Sequence, residues 1–221
     1  MSVLESFYCM GCDFSKPSIL MDTTFKKIGI CKSCAKKVHT TKEMTFDGKE
    51  FIDIVVAPFI YDDVIRDAIR KFKFSGQRLF GEVLTELAVT KLADKDYLDD
   101  CDLIIPVPLH KNRLHERGFN QSEIIADTLG KAIDKEVLSD ALFRIRDTLH
   151  QSSLKGLARV ENVKDAFVAA SGAVSGRNII LVDDVYTAGE TANECAKTLK
   201  AAGAEKVVVF TICKTIDKSS L

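Results

Sequence analysis

The chain has 221 residues, 46% of them hydrophobic and 29% charged, which suits a globular protein able to fill a core. Its 31 basic and 32 acidic residues leave a net charge of −1, which argues against gripping nucleic acid through overall charge, though not against a local basic groove. No apolar run approaches the length of a membrane span, and the first residues lack the features of a secretory leader, so no membrane insertion is expected and the cytoplasm is the expected address.

Four of the seven cysteines fall as Cys9-x-x-Cys12 and Cys31-x-x-Cys34. In a reducing compartment two such knuckles read as a structural zinc site, each presenting two thiolates and together closing a tetrahedron with no position left for catalysis. His39 is a substitute ligand by position, but reads better as a surface residue. Cys101, Cys195 and Cys213 lie in or beside apolar segments and read as small core hydrophobes. The first forty or so residues are poor in aliphatic periodicity, so the metal is expected to hold this part together. Residues 1–49 are therefore read as a zinc-binding module and 50–221 as a second domain. The module is basic through Lys26, Lys27, Lys32, Lys36 and Lys37. It has few aromatics for stacking bases, namely Phe7, Tyr8, Phe14 and Phe25.

Thr40 to Lys49 reads as a hairpin or linker with Asp47-Gly48 as its turn signal, and Phe51 to Tyr61 as a strand. Asp62 or Asp63 can cap a helix with Val64, Ile65, Ala68, Ile69 and Phe72 at helical spacing, broken by Ser75-Gly76. Lys73, next to that break, is a possible phosphate contact. A second helix follows from Leu79 to Leu92. Leu103 to Val107 predicts a buried strand, Gln121 to Ile133 a helix, and Ala141 to Ile145 a short strand. Ser153 to Val163 predicts a helix and Ala166 to Ala170 another strand. Ile179 to Val182 and Val207 to Ile212 complete an alternation of strands and helices that predicts a parallel sheet covered on both faces.

The segment from Asn178 to Thr191 carries the most chemistry. An aliphatic strand ends in Asp183 and Asp184, a loop of small and hydroxylated residues follows, and a helix runs from Ala192 to Ala202. Ligands of open α/β sheets bind beyond the carboxyl ends of the strands, where such a loop sits, and backbone N–H groups at a helix start attract anions. Thr187, Ala188, Gly189, Glu190 and Thr191 suit a phosphate, with Gly189 allowing close backbone approach. The two carboxylates suit sugar hydroxyls or a magnesium ion. Together these parts read as a receptor for a phosphorylated sugar. Tyr186 is read either as flanking the reacting base or as packing at the strand end. Lys111, Arg113, His115 and Arg117 follow the strand at Leu103 to Val107, and the two arginines offer bidentate contacts to phosphate oxygens. Asn120 and Gln121 read as fixing loop geometry or capping a helix. Arg144, Arg146, Thr148, Gln151 and Arg159 form a third polar segment.

The Asp183-Asp184 and Thr187 to Thr191 segment resembles the PRPP-binding motif of type I phosphoribosyltransferases. Ile105 to Gln121, the run from Arg144 through Gln151 and Arg159 to Phe167, and the paired cysteines narrow the resemblance to the ComF family over nearly the whole chain. One departure is Ala188, where the family pattern usually has a second Thr; the backbone N–H survives, one hydroxyl does not. The resemblance implies an α/β fold with a type I phosphoribosyltransferase-like parallel sheet flanked by helices, and a small N-terminal zinc-ribbon-like module. It implies that Asp183 and Asp184 hold the ribose hydroxyls and magnesium, that the Thr187 to Thr191 loop cradles the 5-phosphate, and that Lys111, Arg113 and Arg117 belong to a pyrophosphate loop. It makes the third polar segment, with Arg146, a candidate for a closing hood. The function implied is magnesium-dependent transfer of phosphoribosyl from PRPP to an acceptor, serving DNA uptake in natural transformation. The alternative is a non-catalytic competence factor that senses PRPP or binds single-stranded DNA. The partners implied are PRPP, single-stranded DNA and competence machinery such as a helicase.

Overall fold

A computed structural model of the chain describes residues 6–17, 21–25, 28–41, 44–45, 48–74, 77–92, 96–148 and 157–216. The N-terminal part contains β1 (Ser6–Cys9), β2 (Ser15–Pro17), β3 (Met21–Phe25), β4 (Ile28–Cys31) and α1 (Lys32–Ala35). Its strands form one small sheet in the order β2-β1-β4-β3. The two cysteine knuckles lie at the ends of β1 and β4, which pair in parallel, so both pairs arrive at the same end of this sheet.

The remaining elements are β5 (Met44–Thr45), β6 (Ile54–Val56), β7 (Phe59–Ile60), α2 (Asp63–Phe74), α3 (Arg78–Thr90), α4 (Asp96–Asp99), β8 (Leu103–Pro106), α5 (Lys111–Arg117), α6 (Gln121–Ile133), β9 (Glu136–Val137), β10 (Leu142–Arg144), α7 (Leu157–Val163), β11 (Phe167–Ala169), β12 (Asn178–Tyr186), α8 (Glu190–Ala201) and β13 (Lys206–Lys214). The main sheet runs β5-β6-β13-β12-β8-β9, with β7 continuing beside β13 beyond β6. All its pairings are parallel except that of β5 with β6. β10 and β11 make a separate antiparallel pair.

Successive side chains of a strand point to opposite faces, and the two apolar layers divide accordingly. Ile180 and Val182 of β12, Val208, Phe210 and Ile212 of β13, and Ile104 of β8 pack in the layer with α2, α3 and α6. Ile179 and Leu181, Val207 and Val209, and Leu103 and Ile105 pack in the layer with α8. Burial on both faces is why these strands read as continuous aliphatic runs rather than as alternating ones. Met10, Met21 and Ile30 of the N-terminal part join the α2–α3 layer, so the small sheet packs on the helices of the main one. Among the described residues, no helix is long and apolar enough to cross a membrane.

Several elements differ from the sequence expectation. Phe51 to Tyr61 is not one strand but two short ones, β6 and β7, interrupted at Ala57-Pro58, where proline has no N–H to give to a ladder. The segment expected as hairpin or linker does supply a hairpin strand, β5, which pairs antiparallel with β6 at Met44↔Val56. The basic segment expected as a loop is helical: His110 Nδ1 accepts from the Asn112 N–H, and Gly118 in a left-handed conformation ends α5. β12 does not stop at the aspartates but continues to Tyr186, and α8 starts at Glu190 rather than Ala192. Lys26 and Lys27, Asp47, the break at Ser75-Gly76, Gln151, the first part of the helix expected from Ser153, and the Arg159 side chain lie outside the described residues.

Candidate functional site

From β8 the sheet grows to β9 on one side, and from β12 it grows to β13 on the other. The reversal leaves a crevice between the carboxyl ends of β8 and β12, the place where open α/β sheets take ligands. A cleft of about 320 Å³ lies there. Lys73, Arg113, Arg117, Arg144, Asp183 and Asp184 are among its charged lining residues.

The floor comes from β12 and the start of α8. Tyr186 is buried, and its ring lies against Gly189, where a Cβ would overlap the tyrosine hydroxyl. Gly189 also has φ +78°, a left-handed conformation that favours glycine, and it is the N-cap of α8. A side chain at 189 would therefore meet both backbone strain and overlap with Tyr186. Glu190 places a carboxylate in the first turn of α8, and its Oε1 accepts from Lys49 Nζ at 2.8 Å, which offsets a charge that would repel a phosphate. Thr187, Gly189, Glu190 and Thr191 line the cleft, with Tyr186 beside them.

The acidic pair is held from three sides. Ser122, in the first turn of α6, donates its hydroxyl to Asp183 Oδ1 at 3.1 Å, and the backbone N–H of Asp184 donates to the same oxygen at 2.8 Å. Lys73, in the last turn of α2, meets Asp184 Oδ2 at 2.8 Å. Burial, followed by the neighbouring Asp184 carboxylate, pushes Asp183 up to about 6. Burial works against the Lys73 charge, but Asp184 outweighs it and leaves the ammonium raised above its usual value.

The lining is also cationic. Arg113 Nη2 donates to the Thr148 carbonyl at 2.5 Å, Arg144 Nη2 donates to the Thr148 hydroxyl, and Arg117 Nη1 donates to Gln121 Oε1 at 2.9 Å. Arg144 also stacks on Phe167, 5.4 Å from the ring centre. Burial, then the charge of Arg117, lowers Arg113; burial, then the charge of Arg113, lowers Arg144. The side-chain atoms Arg144 Nε and Gln121 Nε2 are buried without a hydrogen-bond partner. Crowded guanidiniums with unused donors form an environment that an anion would stabilise. Asn120 fixes this part of the lining to the sheet: its side chain caps α6 by accepting from the Ser122 N–H and donates to the Val107 carbonyl at 3.1 Å.

The cleft thus gathers Asp183, Asp184, Arg113, Arg117, Tyr186, Thr187, Gly189, Glu190 and Thr191 from the sequence-expected set. It does not gather Lys111 or Ala188, which are exposed, or Arg146. Arg146 Nη2 instead donates to the Glu161 and Asn162 carbonyls, both at 3.3 Å, and to the Lys164 carbonyl, so it caps the C-terminal turn of α7. Ser122 was not legible as a site residue, because nothing in a serine after Asn-Gln points to a carboxylate sixty residues on. Arg144 was legible only as one member of a polar run.

The four cysteines also come together. Their sulfur atoms all lie within 4.8 Å of one another, which fits a tetrahedral metal with Zn–S about 2.3 Å and S···S about 3.8 Å. The Cys31 N–H donates to Cys9 Sγ at 3.2 Å. Burial opposes the Cys31 thiolate, but donation from the Cys34 backbone and neighbouring groups outweighs it and brings the thiol to about 7. Burial and the other cysteines push Cys34 well up, a penalty that a bound cation would relieve. A Cβ on Gly11 would come 2.9 Å from Cys34 Cβ, Cys34 Sγ and Val64 Cγ1, so only glycine lets this knuckle close against both Cys34 and α2. His39 is not part of the cluster; it is half-exposed and bonds Asp62 at 2.8 Å. Cys101, Cys195 and Cys213 are buried.

Sheet order, switch point and cleft define an open, mostly parallel α/β fold with a ligand crevice, carrying a separate four-cysteine cluster that could hold a metal ion. No family model matches the chain. Competence protein F of Haemophilus influenzae is 28% identical over 209 residues, covering 85% of this chain and 91% of its own length. DNA utilization protein YhgH of Shigella flexneri is 33% identical over 159 residues, covering 71% of this chain and 70% of its own. The chain belongs to the ComF family. Among solved structures, the allosteric regulatory enzyme of purine biosynthesis matches with a TM-score of 0.39 and 20% identity, over 62% of this chain and 25% of that one.

Proposed function

We propose that the cleft binds PRPP together with magnesium, and that the chain transfers its phosphoribosyl group to an acceptor in the service of DNA uptake during natural transformation. The observation that carries this reading is one cleft lined by an acidic pair, three guanidiniums and the first turn of a helix. In this reading Asp183 and Asp184 hold the ribose hydroxyls and the magnesium, and the Thr187 to Thr191 segment takes the 5-phosphate at the start of α8. Two adjacent carboxylates, one of them already disfavoured in its charged form, are oxygen donors that fit a hard divalent cation. When bound, magnesium supplies charge neutralisation on the pyrophosphate. The chain's own work is positioning and electrostatics: Arg113, Arg117 and Arg144 stabilise negative charge on the departing pyrophosphate, and the acidic pair fixes the sugar as positive charge develops at its anomeric carbon. Arg146 acts through α7 rather than on the ligand, the Lys111 side chain lies outside the cleft lining, and Ala188 serves the phosphate segment through its backbone only.

Titration calorimetry of PRPP with and without magnesium tests the reading. Binding is expected only with magnesium, and Asp183→Asn with Asp184→Asn abolishes it while the fold persists. Unchanged affinity in the double variant would show the site to be elsewhere.

The same reading makes the cysteine cluster a structural zinc site, and divides the chain into a zinc module at 1–49, which lends β5 to the main sheet, and a phosphoribosyltransferase-like domain at 50–221. A second reading is a competence factor that binds single-stranded DNA on this fold. It is favoured by the exposed Lys32, Lys36 and Lys37 beside α1, and by Phe14, 66% exposed with Lys16 Nζ 5.4 Å over its ring. The relatives' names, a competence protein and a DNA utilization protein, are consistent with either reading.

A further inference from the structure

Lys73 is placed where the acidic pair would otherwise meet an incoming cation. It comes from the last turn of α2, its side chain is 23% exposed, and its ammonium lies 2.8 Å from Asp184 Oδ2 on the lining of the cleft. Two carboxylates and one ammonium leave a single net negative charge. A bare divalent cation entering this pair must separate Lys73 from Asp184 and leave a half-buried ammonium without a partner, which opposes binding. A cation arriving with a polyphosphate meets no such barrier, because the phosphate oxygens offer the displaced ammonium new acceptors.

We infer that Lys73 is the resident counter-ion of the acidic pair, excluding free divalent cations and passing to the phosphates when a metal–PRPP complex enters. The inference rests on the PRPP reading of the cleft for its second half only. Its first half, exclusion of the bare ion, depends on the ion pair and the neighbouring guanidiniums of the cleft, not on PRPP. Lys73 is a specificity-determining residue in this account: it makes the acidic pair respond to the complex of metal and sugar phosphate rather than to the metal.

The test uses the full chain, with manganese alone as one probe and PRPP with manganese as the other, read by electron paramagnetic resonance of free manganese and by calorimetry. Lys73→Met is expected to bind bare manganese on the order of tenfold tighter than the parent chain, and the manganese–PRPP complex on the order of tenfold more weakly. Lys73→Arg keeps the charge and is expected to keep the parent's weak response to bare manganese. Lys73→Met with Asp184→Asn is expected to lose the gained manganese affinity, which places the extra ion at the pair. A residue that merely packs would move both affinities in the same direction, so equal losses for both probes overturn the inference, as does unchanged manganese binding in Lys73→Met. If no variant binds PRPP yet Lys73→Met gains bare manganese, the counter-ion role stands and the PRPP reading falls. If the parent chain binds manganese–PRPP and Lys73→Met binds both probes as the parent does, the PRPP reading stands and the counter-ion role falls.

Discussion

Asp183 is an acid whose surroundings work against its charge. Burial and Asp184 raise it from the ordinary carboxylate value of 3.8 to about 6, and the hydrogen bonds from Ser122 and the Asp184 N–H only partly compensate. The folded chain therefore holds this proton more tightly than the unfolded chain does. Its contribution favours the fold below about pH 4, is lost as the pH rises toward 6, and becomes a fixed cost above that. Asp183→Asn removes the charge but keeps an oxygen for Ser122. In urea unfolding without added magnesium, the variant is expected to be more stable than the parent at pH 7.5 by on the order of 1–2 kcal/mol, the gain vanishing near pH 4. A parent chain as stable as the variant at pH 7.5 would mean the acid is not strained. Gly189 gives a second expectation. Gly189→Ala combines a positive φ with overlap on the Tyr186 hydroxyl, so it should cost about 1 kcal/mol or more of stability and weaken PRPP binding. Trimming the overlap with Tyr186→Phe in the same chain should recover part of the loss, and no recovery would assign the effect to backbone strain and the remaining ring contact rather than to the hydroxyl.

At the scale of elements, α2 joins the two sites. Lys71 Nζ donates to the Met10 carbonyl at 3.1 Å and pairs with Asp13, which also accepts from the Tyr8 hydroxyl at 2.7 Å. Gly11 presses the first cysteine knuckle onto Val64 near the start of the same helix. Two residues beyond Lys71, the helix delivers Lys73 to Asp184. Releasing metal from the cysteines should therefore loosen α2 and be felt in the cleft, not only in residues 1–49. Cys31→Ser with Cys34→Ser is expected to lose zinc, measured by atomic absorption, and to bind magnesium–PRPP several-fold more weakly while the main sheet stays folded. Undiminished PRPP affinity in a zinc-free chain would show that the cysteine cluster supports only its own small sheet. This coupling was not legible in the sequence, because Lys71, Asp13 and Val64 are ordinary surface or helix-face residues until α2 is set against the small sheet. What local rules did define was found: α6 matches its expected span of Gln121–Ile133 because Asn120 caps it and its apolar spacing has the helical period. β12 and β13 run further than expected because neighbouring parallel strands extend the ladder past the aliphatic run, carrying the acidic pair within a strand rather than after it. Asp183 and Asp184 were recognisable from their motif, whereas Ser122 and Arg144 reach the cleft only through tertiary placement.

For the molecule as a whole, two charged surfaces are separated in kind. The cleft is of small-ligand size, about 320 Å³, and its guanidiniums already hold Thr148 and Gln121. The lysines Lys32, Lys36 and Lys37 are exposed at the α1 end of the small sheet and are not part of the cleft lining. With a net charge of −1 the chain as a whole does not attract nucleic acid, so any binding of single strands has to come from such a local group. The separation predicts that single-stranded DNA and PRPP bind without competing. Replacing Lys32, Lys36 and Lys37 by Gln is expected to weaken binding of a labelled oligonucleotide and flatten its dependence of log affinity on log salt by about 2, each lost phosphate contact removing about 0.7. Magnesium–PRPP affinity should be unchanged in the same protein. Saturating PRPP that displaced the oligonucleotide would instead put the strand in the cleft, against the arginines, and would make a group on the nucleic acid a candidate acceptor for phosphoribosyl transfer. An oligonucleotide that fails to bind even at low salt would remove the nucleic-acid reading and leave the relatives' link to DNA use to act through a small-molecule product or a protein partner.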